Sequence, residues 1–162
     1  MAQQIILLLD KSGSMHVRID DTIGGLNSFV DGIKTRYPDS TFSLYQFSDT
    51  CQEVFTNKPI TEVSTFTRDD YNPGGNTSLY DSMGEIITKY KTGKFVIMTD
   101  GFENSSKMYS HAMIKTLIKA SSLEIMYIGA DIESSKDIGI TRSIEYTGDR
   151  TPDILRFASQ NI

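Results

Sequence analysis

Asp10, Ser12 and Ser14 stand at alternate positions in IILLLDKSGS, directly after the unbroken apolar run Ile5 to Leu9. One carboxylate and two hydroxyls so spaced form an oxygen-only cluster suited to a hard divalent cation. Two other segments carry the same chemistry. Asp100 follows the apolar KFVIMT in TDGFEN, and Thr77 follows the loop-forming NPGGN. Neither His nor Cys is among these five residues, which disfavours zinc and copper and favours magnesium, manganese or calcium. Hydroxyl ligands are neutral and weak, so an ion held this way retains waters and keeps a position for an outside ligand. Two ionised carboxylates nearly neutralise a divalent ion, and an incoming Asp or Glu adds a favoured anionic oxygen.

The elements that must position these groups can be read from periodicity. Ile5–Leu9 reads as a strand buried on both faces. Ile19 to Tyr37 carries Ile23, Leu26, Phe29, Val30 and Ile33 at helical spacing, ending at Pro38. Thr41–Phe47 reads as a second strand, with Phe42, Leu44 and Gln46 on one face and Tyr45 and Phe47 on the other. Cys51–Phe55 begins a third. The Ser48–Asp49 turn is too short for a parallel crossover, so strand three runs antiparallel to strand two. Further on come a helix from Ser78 to about Tyr90, a strand over Lys94–Thr99 and a helix over Ser106–Ala120 with Met113, Ile114, Leu117 and Ile118 inward. A strand over Leu123–Ile128, a short helix over Ser134–Ile138, a strand over Arg142–Tyr146 and a closing helix over Pro152–Ser159 complete the chain. Such alternation predicts an α/β, doubly wound (Rossmann-like), mostly parallel sheet with helices on both faces, as one domain over residues 1–162. Doubly wound sheets bind ligands beyond the carboxyl ends of their strands, where strand order reverses. If the first strand and the Lys94–Thr99 strand are neighbours there, the three oxygen-bearing segments meet.

Composition narrows the function classes. A net charge of -5 and scattered basic residues leave no stripe to neutralise phosphates, so nucleic acid is not an expected partner. No segment approaches the ~18 apolar residues of a membrane span. The first apolar run falls short of the roughly 7–15 residues of a signal core and lacks basic residues before it. Cys51 is the only cysteine and suits a reducing compartment, as a small half-buried strand residue. The expectation is a cytoplasmic protein, a viral or phage product included.

At these residues the sequence resembles a known family. Asp10-Lys-Ser12-Gly-Ser14 looks like the D-x-S-x-S of von Willebrand factor type A (VWA) domains, Thr77 in GGNTSLYD resembles the family's separate loop threonine, and Asp100-Gly101 resembles its T-D-G. The resemblance spans essentially the whole chain. It implies strand order 3-2-1-4-5-6 with strand three antiparallel, and a metal-ion-dependent adhesion site (MIDAS). It further implies that Ser12, Ser14 and Thr77 hold the metal directly or nearly so, that Asp10 and Asp100 act largely through water, and that a partner's Asp or Glu completes the octahedron. Met15, His16, Asn76, Phe102 and Glu103 are then the rim that meets the partner protein. The lack of a second cysteine departs from the extracellular adhesive members and points to the family's intracellular branch. Since the chain ends at Ile162, the state of the site is expected to follow ligand alone rather than a pull on the last helix.

Bland readings exist for each residue. Asp10 and Asp100 could simply end strands, Ser12-Gly13-Ser14 could cap a turn, and Thr77 could cap the next helix. Asp81 and Glu103 read as solvated or supporting carboxylates rather than ligands. The alternative function is a magnesium-dependent phosphohydrolase with Asp10 as nucleophile. That chemistry would want a second Asp two residues on, where Ser12 stands, and no P-loop, G-x-G-x-x-G or G-x-S-x-G is present. A non-enzymatic binding module is the expectation.

Overall fold

The computed structural model describes residues 3–100, 103–129, 132–145 and 151–162. Its strands are β1 (Gln4–Asp10), β2 (Thr41–Phe47), β3 (Cys51–Pro59), β4 (Lys94–Thr99), β5 (Glu124–Gly129) and β6 (Arg142–Glu145). They form one six-stranded sheet in the order β3-β2-β1-β4-β5-β6. β1 pairs in parallel with β2 and β4, β5 pairs in parallel with β4 and β6, and only β3 runs antiparallel, on β2. The expected order and the single antiparallel edge strand are both present. Strand order reverses between β1 and β4, which are hydrogen-bonded neighbours, so Asp10 and Thr99 end side by side.

Period-two alternation decides which half of the core each strand residue joins. Ile5, Leu7 and Leu9 of β1 pack with Phe42 and Leu44 of β2 against α1 (Ile19–Arg36) and α5 (Thr151–Asn161). Ile6 and Leu8 pack with Tyr45 and Phe47 on the opposite face, against α2 (Leu79–Lys89) and α3 (His111–Ala120). A short helix, α4 (Ile132–Asp137), precedes β6. Helices on both faces explain why β1 reads as a continuous apolar run: it has no solvent face on which to place polar residues.

Two elements differ from the sequence expectation. The stretch after Asp10 is not a plain loop, because Gly13–Arg18 forms a 3-10 turn leading straight into α1. The Ser106–Ser110 segment is not helical. The Asp81 carboxylate accepts the backbone N–H groups of Lys107, Met108 and Tyr109 at 2.8–2.9 Å. Helix α3 begins only where the Ser110 hydroxyl accepts the Met113 N–H and caps it. Met113 is exposed and Leu117 and Ile118 are partly buried, leaving Ile114 as the buried residue of α3. Elsewhere, Tyr146, expected as the end of the sixth strand, lies outside the described residues.

Leu7 sits mid-strand between β2 and β4 and is fully buried. Leu7→Ala is expected to lower stability by about 2–5 kcal/mol, read as a lower urea midpoint at unchanged slope.

Candidate metal centre

The centre begins with Asp10, which is 0% exposed at the end of β1. Its Oδ1 accepts the Ser12 backbone N–H at 2.6 Å and its Oδ2 accepts the Thr99 hydroxyl, also at 2.6 Å. Its backbone carbonyl accepts the Tyr71 hydroxyl at 2.5 Å. Burial pushes the Asp10 pKa up; hydrogen bonds from Ser12 and Thr99 pull it back, while the nearby Asp100 charge adds to the rise. The carboxylate thus tightens the turn after β1 and ties β1 to β4.

That turn brings the two serine hydroxyls together and Ser14 onto Asp100. The Ser12 and Ser14 hydroxyls lie 3.2 Å apart, and Ser14 donates to Asp100 Oδ1 at 2.8 Å. The second Asp100 oxygen, Oδ2, accepts from the Arg18 guanidinium at 2.5 Å. Thr77 is delivered by the glycine-rich loop, which docks on the β1 turn through Gly74 N–H to Lys11 O and Gly13 N–H to Gly75 O. On its other side Thr77 is clasped by Asn104, whose side-chain oxygen accepts the Thr77 N–H and whose N–H donates to the Thr77 carbonyl. The three segments therefore meet at one edge of the sheet.

Gly75 makes this docking possible. Its φ is +83°, and a Cβ there would stand 2.6 Å from Asp49 Oδ2, the carboxylate that also accepts the Asn76 N–H through its Oδ1. Only glycine meets both conditions.

The donor set suits a small hard cation. Octahedral coordination at ~2.1 Å puts adjacent oxygens about 3 Å apart, close to the 3.2 Å between the Ser12 and Ser14 hydroxyls. Among the described residues no three His, Cys, Asp or Glu side chains gather into a metal-holding group. An ion here would therefore depend on the hydroxyls of Ser12, Ser14 and Thr77 as much as on Asp10 and Asp100.

The expected rim divides. His16 and Asn76 are exposed beside the centre. Met15 is not a rim residue: at 0% exposure it belongs to the core beneath the turn, because the 3-10 geometry folds it inward. Glu103 is partly buried, and its carboxylate accepts from the backbone N–H groups of Tyr80 and Ser106, holding the loop after β4. Phe102, like Gly101, lies outside the described residues. The N-cap of α2 is Ser78, with Thr77 one residue ahead of it. Cys51 is half-buried on β3, and burial pushes its thiol pKa up to about 12, which disfavours the thiolate.

Sequence reasoning passed over Thr99, Asn104, Tyr71 and Arg18. Thr99 and Asn104 are the first and last residues of TDGFEN, so their proximity to Asp100 is legible in the sequence. Tyr71 and Arg18 carry no motif. Val17, in the same 3-10 turn, is 83% exposed, which a helix or strand pattern could not flag.

This topology, with its oxygen cluster at the end of β1, is the VWA fold. No protein-family model and no curated protein matches the sequence. Solved structures do. Proximal thread matrix protein 1 from the mussel byssus aligns over 99% of this chain and 45% of its own, at 16% identity and TM-score 0.73. A further structure of that protein has a zinc-occupied MIDAS motif (TM-score 0.64, 15% identity, 98% and 46% covered). A von Willebrand factor type A protein from Catenulispora acidiphila aligns over 98% and 42%, at 11% identity and TM-score 0.72. The pilus adhesin SpaC from Lactobacillus rhamnosus GG aligns over 99% and 30%, at 13% identity and TM-score 0.75. The chain spans less than half the length of each, and at these identities the likeness is one of fold.

Gly75→Ala is expected to cost about 1–3 kcal/mol in thermal or urea unfolding, through the left-handed backbone and the Asp49 clash. Asp81 supplies a pH test. Burial raises its pKa, but the N–H donors of Lys107, Tyr109 and Met108 outweigh that and hold it below the ordinary value. A depressed folded pKa contributes stability above the unfolded value of ~3.9 that is lost as pH falls through the folded one. Asp81→Ala should therefore lower the melting temperature at pH 7, with the gap from the parent closing below about pH 4.

Proposed function

We propose that this chain is a metal-dependent protein-interaction module that captures an acidic side chain of a partner protein on a divalent cation, magnesium in the first instance. The observation that carries this reading is the continuous oxygen array Ser12 Oγ, Ser14 Oγ, Asp100 Oδ1, with steps of 3.2 and 2.8 Å at the sheet's switch point. Ser12, Ser14 and Thr77 would hold the ion, with Asp10 and Asp100 supplying balancing charge through water. When bound, the ion supplies an electrophilic position for a carboxylate oxygen. The chain's residues do the rest: the Asp10 carboxylate keeps the serine turn in shape, Asn104 and Gly75 keep Thr77 in place, and His16, Val17 and Asn76 form the surface a partner touches. The zinc-occupied MIDAS of the mussel protein supports a cation at this edge of the fold.

The same reading makes the chain non-enzymatic. Both Asp10 oxygens are engaged in hydrogen bonds within a fully buried side chain, which suits a strut and not a nucleophile. A cytoplasmic setting is part of the proposal and rests on the lone Cys51. Among the described residues no helix is long and apolar enough to cross a membrane.

Immobilised chain should retain partner protein in Mg²⁺, release it in EDTA and recover it when Mg²⁺ is restored. Ser14→Ala and Thr77→Ala should each weaken retention at least about tenfold, the loss expected when a metal ligand is removed. Retention indifferent both to EDTA and to these substitutions would sink metal-mediated capture.

A further inference from the structure

The Asp100 carboxylate already has a cation. Its side chain is 5% exposed, and Arg18 closes on Oδ2 at 2.5 Å while Ser14 donates to Oδ1. A carboxylate that buried requires a counter-charge, and guanidinium provides one at all accessible pH. We infer that Arg18 is the resident counter-ion of Asp100 and competes with the divalent cation for it, so that Arg18 sets the metal affinity of the centre. The inference rests on the metal-centre reading given above.

The charge balance argues for competition. Asp10 and Asp100 together carry at most two negative charges, which a divalent ion matches alone. An ion held by Ser12 and Ser14 and reached by Asp100 Oδ1 through water would share that carboxylate with the guanidinium on Oδ2, and like charges so placed disfavour each other. Arg18 cannot lose its proton, so it must either move away or weaken the ion's binding. It lies at the surface end of the site. Its side chain is 29% exposed, and it ends the 3-10 turn Gly13–Arg18 at the entrance to α1, following the exposed His16 and Val17. Asp100 is thus neutralised in both states, by Arg18 without metal and by the divalent ion with it. The centre can therefore stay folded without metal and still take it up.

The test measures Mn²⁺ binding to the chain and its Arg18→Gln and Arg18→Lys variants, by the electron paramagnetic resonance of free Mn²⁺, with melting temperatures in EDTA and in saturating Mn²⁺. Two cations coupled through one carboxylate should interact in the ordinary range of roughly 5- to 150-fold. Arg18→Gln should therefore bind Mn²⁺ about tenfold or more tightly than the parent, with Arg18→Lys between. In EDTA Arg18→Gln should melt below the parent, and saturating Mn²⁺ should close that gap. If Arg18→Gln does not fold, Arg18→Lys carries the test, and tighter binding than the parent supports the competition. Variants that bind Mn²⁺ as the parent does, or more weakly, overturn the inference and leave the metal centre standing. No Mn²⁺ binding by any of the three overturns both.

Discussion

A carboxylate sealed inside the protein at the end of its central strand is the constraint on which the rest depends. Asp10 is surrounded by the core that the apolar run before it builds, so its two oxygens must be satisfied by protein donors. The Ser12 N–H satisfies one and thereby bends the chain back sharply, which is why the two serine hydroxyls face the same way. The Thr99 hydroxyl satisfies the other and joins the ends of β1 and β4. One buried charge shapes the turn and aligns the switch point, and the same charge is available to balance a cation.

The second requirement is that Thr77, remote in sequence from both, be held at the same edge. Tyr71 and Leu79 anchor the two flanks of its loop in the core, and polar contacts place the segment between them. These are backbone hydrogen bonds from Lys11, Gly13, Ser48 and Asn104 to the segment 74–78, with Asp49 receiving the Asn76 N–H. Such a clasp needs close backbone approach, which Gly75 allows. The carboxylates of Asp81 and Glu103 extend the same logic to the loop after β4, where they consume backbone donors instead of reaching for an ion. Around this centre the acidic residues fall into two classes. Asp10 and Asp100 bear on the serine turn, through the Ser12 N–H and the Ser14 hydroxyl, whereas Asp49, Asp81 and Glu103 accept from other backbone N–H groups.

Arg18 gives the centre a character that an oxygen list alone would miss. Five oxygen-bearing residues describe a cation site, and a guanidinium on one of the carboxylates describes a site that already holds a cation of its own. The two descriptions agree if the protein fold tolerates both occupants at the price of competition between them.

The sequence by itself determined the alternation of strands and helices, the antiparallel edge strand and five candidate oxygen donors. Those features are written in local signals: an apolar run ending at a carboxylate, hydroxyls at alternate positions, a turn too short for a crossover. It did not determine which neighbours would be exposed. Met15 and His16 are adjacent, and only the 3-10 turn sends the first into the core and leaves the second outside. Nor could it place Ser106–Ser110, because helical periodicity there is overridden by the Asp81 carboxylate drawing off the backbone donors. The Arg18–Asp100 pair joins residues far apart in the chain through a side chain with no motif, and long flexible side chains find their partners only once the surrounding fold has fixed where the buried charges lie. Local pattern specified the elements and the chemistry on offer; burial and long-range hydrogen bonding decided which groups are free to use it.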